Sequence, residues 1–84
     1  MKTLLIKITN TETKTIQGRF GSFPVLIVHY VLHSGFDNPL AQTKTHIVSK
    51  SSKFYKNNVF LLTRGVREVN IEGKEWINIK EIKE

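Results

Sequence analysis

The sequence predicts an all-β fold: a small, closed or nearly closed barrel of five short strands with one short helix, occupying residues 1–84 as a single domain. Three observations predict it. Most apolar runs alternate with polar residues at a period of two, the period of a half-buried strand. A glycine or proline stands near each place where a curved sheet would turn. Helix start and stop signals occur together in only one stretch, between the third strand and the final pair. With 84 residues, 39% of them hydrophobic, the chain can build one compact core and is too small for that core to divide.

Leu4-Leu5-Ile6-Lys7-Ile8-Thr9 sets Leu4, Ile6 and Ile8 on one face of the first strand. Thr11 to Gln17 is β-branched and polar, and continues that strand as an exposed extension or after a bulge. Gly18-Arg19-Phe20-Gly21-Ser22-Phe23-Pro24 reads as a loop, because two glycines allow positive φ and a proline cannot donate to a ladder. Val25 to His33 is the strongest strand, apolar on both faces. Ser34-Gly35-Phe36-Asp37-Asn38-Pro39 is a run of turn formers that reverses the chain before Thr43 to Ser49. Ser51 or Ser52 is placed to cap a short helix through Lys53-Phe54-Tyr55-Lys56, which Asn57-Asn58 would end. Val59-Phe60-Leu61-Leu62-Thr63 reads as strand-like. After Gly65, Val66 to Ile71 meets Lys74 to Ile82 across Glu72-Gly73 as a terminal hairpin.

Closing such strands into a barrel hides edges that a flat sheet would leave open to aggregation. At this length the OB-fold is the best match, with an SH3-like barrel of similar strand count as the alternative. Over Gly18 to Leu32, the Lys-rich stretch before the helix, and Gly65 to Ile82, the chain resembles small single-stranded-DNA-binding proteins. Bacterial primosomal protein B and the corresponding proteins of phages and mobile elements are nearest in pattern. The resemblance covers length, element order and punctuation over most of the chain. It implies an OB-fold protein that binds single-stranded DNA in replication or recombination.

Charge points the same way. The chain carries 13 Lys and Arg against 7 Asp and Glu, a formal net charge of +6. Residues 1–67 hold a net +8 and residues 68–84 a net −2, so a polyanion would meet the first part and not the acidic tail. Surplus lysine kept for solubility is the competing explanation. The chain has no cysteine, which removes disulfides, thiolate zinc sites and thiol nucleophiles and fits a reducing compartment. Only Leu4, Leu5 and Ile6 follow the N-terminal Met1-Lys2-Thr3 before Lys7, so no signal-peptide core is expected and the cytoplasm is the default location. Val25 to Leu32, interrupted by His29, is far shorter than the roughly 20 residues of a membrane-spanning helix.

An OB-type binder needs cations to follow the phosphates and aromatic faces for unpaired bases. Arg19 and Phe20 supply both in the first loop, Arg19 to hold a phosphate and Phe20 either to stack or to fold back, while Phe23 is expected to fold back and plug one end of the barrel. In the final strand Ile77 and Ile79 alternate with Trp76, Asn78 and Lys80. If the isoleucines face the core, Trp76 becomes an outer-face stacking residue; the alternative is that it closes the barrel mouth. Tyr30 is a mid-strand aromatic that either stacks or is buried with Leu26, Val28 and Leu32. On a short helix Phe54 and Tyr55 diverge by about 100°, with Phe54 expected inside and Tyr55 free. Lys44, Lys50, Lys53, Lys56, Arg64 and Arg67 could form a rim around one groove or scatter as solvated charges, the two arginines serving best because a guanidinium offers a planar fork to phosphate.

No catalytic set emerges. His29 and His33 share a strand face but stand about 13 Å apart, too far to ligate one ion, and His46 adds at most a two-histidine site. Neither a metal nor another cofactor is expected. The basic part has only Glu12 and Asp37 as acids, and no nucleophile elbow or phosphate-cradling glycine motif occurs, so enzyme activity is not expected. The expected function is single-stranded DNA binding with little sequence preference, by a protein that gains from forming a homodimer. Two alternatives stay open: a small adaptor docking on a replication polymerase, helicase or host factor by strand addition, and an RNA-binding OB module.

Overall fold

The computed structural model of the chain describes residues 2–32 and 42–82. It contains β1 (Lys2–Gly18), β2 (Gly21–Leu32), β3 (Lys44–Ser49), α1 (Lys53–Asn58) continued by a 3-10 turn over Val59–Leu61, β4 (Gly65–Glu72) and β5 (Glu75–Glu81). The strands form one antiparallel sheet in the order β3-β2-β1-β4-β5. No ladder joins the edge strands β3 and β5, so the sheet is barrel-like but not closed. The turn expected at Ser34 to Pro39, with His33, lies outside the described residues. No helix among the described residues is long and apolar enough to cross a membrane.

β1 serves both halves of the sheet. Lys2 to Ile8 pair with β4, and Ile6 to Gly18 pair with β2, with a register shift between Ile8 and Asn10 where the strand bends. The polar stretch after Thr9 is thus the expected continuation of one bent strand. The segment Gly18 to Pro24 is shorter as a loop than its glycines and proline suggest. Pairing continues to Gly18 and Gly21, and only Arg19 and Phe20 form the turn, with Gly21 supplying a positive φ of 128°. The result is a hairpin arm that runs beyond the β2–β3 ladder, which ends at the Val25 and Ser49 pair. Pro24 is tolerated because β2 is an edge there, and its carbonyl accepts the Lys50 N–H at 3.2 Å. Phe23 plugs no barrel end. It lies over Gly18, where a Cβ would come within 2.8 Å of its ring.

The core is built from one face of the coiled sheet: Ile6 and Ile8 of β1, Leu26 and Val28 of β2, Val48 of β3, Val69 of β4, and Trp76 and Ile79 of β5. Counted across the ladders, His46 lies in the row of Val28 and Thr11, whereas Trp76 lies in the row of Ile71 and Lys2. Their rings nevertheless stack at 4.2 Å and 7°. Only a sheet coiled until its two edges approach can bring such distant rows together.

Two expectations fail for reasons visible in the geometry. In β5, Trp76 and not Ile77 faces the core. Asn78 pairs with Asn70 and Trp76 with Ile71, so Ile77 is an extra residue that resets the alternation. Ile79 keeps its inward position while Ile77 is 43% exposed. Val59 to Thr63 contains no strand. Ser52 caps α1 by accepting the Tyr55 N–H at 3.1 Å, and the chain stays helical through Leu61. Phe54, Tyr55, Leu61 and Leu62 then turn inward at helical spacing, leaving Val59 and Phe60 outside.

Arg67 is the third correction, because its guanidinium is structural and faces no groove. It is 8% exposed. Nε donates to the Leu61 carbonyl and Nη1 to the Val66 carbonyl, each at 3.0 Å, and Nη2 reaches Thr63 Oγ1 and the Arg64 carbonyl at 3.4 and 3.5 Å. The planar fork thereby fastens the irregular segment between the 3-10 turn and β4. Replacing Arg67 by Lys keeps the charge but cannot reproduce this fork. The expected loss is about 3 kcal/mol, read as a lower urea midpoint, against no measurable change for the exposed Arg64→Lys. Equal midpoints for the two variants would show that the fork does not hold the segment.

Candidate nucleic-acid interface

Register divides the basic residues between two ends of the sheet. Lys14, Val25 and Ser49 share one row, and the arm tip with Arg19 lies beyond it. Lys50 follows at the foot of the arm and Lys53 opens α1. The coil of the sheet brings Lys74, in the β4–β5 turn, to the same corner, where it lines a cavity with Ser49 and Ser52. Five cations therefore belong to this end. Lys44 lies at the other end, in the row of Tyr30, Ile8 and Gly65, and Arg64 adjoins that row, so neither joins the cluster.

The turn chemistry explains the tips. Gly73, with a φ of 62°, and Lys74 form a two-residue loop closed by the Glu72 and Glu75 pair, the pattern of a II′ turn that suits the twist of a hairpin. At the other tip Phe20 is 99% exposed beside Arg19. The outward face of the helical segment adds Lys53, Lys56, Asn57 and Phe60, all exposed and placed at the i, i+3, i+4, i+7 positions of one helix face. Phe60 is missed when Val59 to Thr63 is read as a strand. The lost signal is the helical spacing of Phe54, Leu61 and Leu62.

The remaining aromatic residues form a wall. Trp76 is 7% exposed, stacked on His46 and met edge-on by Tyr30 at 5.5 Å and Phe54 at 6.4 Å. It fills the seam between β3 and β5, which is the barrel-mouth alternative and excludes the outer-face stacking role. Tyr30 faces the core and packs against it, with burial raising its phenol above the ordinary value. Both Phe54 and Tyr55 are half-buried against the core, and the Lys50 ammonium stands 6.0 Å from the Tyr55 ring centroid. Tyr55 is therefore a support for Lys50 and not a free ring. Behind these groups a cavity of about 330 Å³ opens between β3, the start of α1 and the β4–β5 turn.

His29 Nε2–H donates to Glu12 Oε1 across the β1–β2 ladder at 2.8 Å, and this bond leads the causes that lower the Glu12 pKa. No group of three or more metal-ligating side chains occurs among the described residues. Burial lowers the His46 pKa below 6.5, because the imidazolium would lose water in the seam. The sign follows from proton uptake. Above pH 6.5 the imidazole is neutral in both states. As the pH falls below 6.5 the unfolded chain gains a proton that the folded seam resists, and stability declines until the lowered folded pKa is reached. His46→Phe keeps a flat ring against Trp76 and removes the proton. The urea midpoint of the wild type should fall between pH 7 and pH 5.5 by more than that of the variant; parallel pH profiles would exclude His46 as the cause. No known family model, curated protein or solved structure matches the chain.

Proposed function

We propose that the chain binds single-stranded nucleic acid, single-stranded DNA in the first instance, as a non-enzymatic OB-type module. The observation that carries this reading is the bare Phe20 ring beside Arg19 at the tip of an arm rising from the lysine-rich end of the sheet. A large apolar ring fully in water gains most from a flat partner, and an adjacent guanidinium favours one that carries phosphate. The strand order, with the helix between the third and fourth strands, supports the OB-type reading. In that architecture the loops after the first and fourth strands flank the binding face, and here they bear Arg19, Phe20 and Lys74. Lys50 and Lys53 supply further phosphate contacts between them.

A second reading, strand addition by a protein partner, is favoured by the free edge of β3, where Ile47 is 54% exposed. Salt separates the two. Titration of a fluorescent 30-nucleotide dT strand should show binding that falls steeply with added salt, a preference over duplex DNA, and a five- to tenfold loss, on the order of one stacked base, in Phe20→Ala. A paired RNA oligonucleotide tests the sugar. No binding at low salt would remove the nucleic-acid reading and leave the β3 edge as the functional surface.

A further inference from the structure

The cavity at the seam is not needed for a module that stacks bases only on exposed rings, and its chemistry is specific. It lies between the free edge of β3, the first turn of α1 and the β4–β5 turn, at the lysine-rich end. Its volume of about 330 Å³ falls at the low end of the range for small-molecule sites, which suits a flat heterocycle. Trp76, Phe54 and His46 wall it with aromatic surface. Polar groups are few and local: Ser49, Ser52, whose hydroxyl is held by the Ser49 carbonyl and the Tyr55 N–H, Lys74 and Glu75, with neither charge in an ion pair among the described residues. Along the edge strand β3, alternate backbone N–H and C=O groups lack a ladder partner.

We infer that this cavity receives one unpaired base of the bound strand, turned in between β3 and the β4–β5 turn while its phosphates stay outside. The inference rests on the strand-binding reading. A base has apolar faces and a polar edge, matching aromatic walls interrupted by a serine, a lysine and an unpaired backbone edge. The mouth favours a polyanion: Lys74 lines it, Lys50 follows the lining residue Ser49, and Lys53 precedes the lining residue Phe54, three cations against the carboxylates of Glu75 and its ladder partner Glu72. An acidic or purely apolar peptide would satisfy only one of these two features. Phe20 at the arm tip and the cavity at its foot would then engage different nucleotides of one strand.

The chain contains a single tryptophan, and it stands in the cavity wall, so its emission reports occupation of this site. The full chain is titrated with the dT strand while anisotropy follows binding and emission follows Trp76. A second strand carrying one 5-iodouracil is cross-linked by light and the product mapped by mass spectrometry. The expected result is a saturable change in emission that tracks anisotropy, with cross-links at Trp76, His46 or Phe54. Lys74→Glu should weaken binding about tenfold and lower the cross-link yield, whereas Lys80→Glu, the same charge change on an exposed β5 residue away from the cavity, should weaken it much less. Binding with unchanged emission and cross-links confined to Phe20 or Phe60 would overturn the cavity inference and leave strand binding intact. Equal losses in the two lysine variants would overturn it too, by reducing Lys74 to long-range charge. Absence of any anisotropy change would remove the strand-binding reading itself.

Discussion

The stack of His46 on Trp76 joins two strands that share no backbone ladder, and the form of the molecule follows from it. The sheet coils because each strand twists, but twist alone does not decide where the edges meet. The two rings set that point, and the edge contacts of Tyr30 and Phe54 with the same indole fix it from β2 and α1. Aromatic pairs of this kind are worth about 0.5–1.5 kcal/mol each beyond the area they bury. That is a sizeable share of the stability of a small domain. The extra residue at Ile77 is part of the same device, because without it the indole would point away from the seam.

Coiling also explains why the charge is not spread evenly. Lys14, Arg19, Lys50, Lys53 and Lys74 come from five different elements or turns, yet the register of β1, β2 and β3 and the approach of β5 carry them to one end. The hairpin arm extends that end without adding core. None of its residues from Lys14 to Pro24 is buried, so the arm is held by its ladder and by the Lys50 hydrogen bond at its foot.

Much of the architecture was legible in the residues. The alternation of Leu4, Ile6 and Ile8, the polar continuation after Thr9, the Ser52 cap and the terminal hairpin all express local rules of period, propensity and turn chemistry, and each appears, the hairpin with its turn one residue later, at Gly73-Lys74. What escaped depends on pairing between distant segments. A bulge at Ile77 leaves no mark in a run of alternating residues, yet it exchanges the faces of Trp76 and Ile77. Gly18 to Pro24 carries loop composition, and only the partner strand shows that it is ladder almost to its tip. Arg67 looks like any surface cation until Gly65 and the carbonyls of Leu61 and Val66 are placed around it.

That last grouping ties two positions together in descent. Gly65 has a φ of 145°, and a Cβ there would lie 2.5 Å from the Arg67 Nη1. A side chain at position 65 therefore meets two penalties at once, a backbone conformation that other residues rarely adopt and a collision with the guanidinium. Loss of the arginine first would relieve the collision and relax the requirement for glycine to the backbone alone. The two positions are thus coupled in divergence: a side chain at position 65 displaces the guanidinium, and loss of Arg67 removes it, so either order passes through an intermediate in which the segment from Leu61 to Val66 loses its fastening.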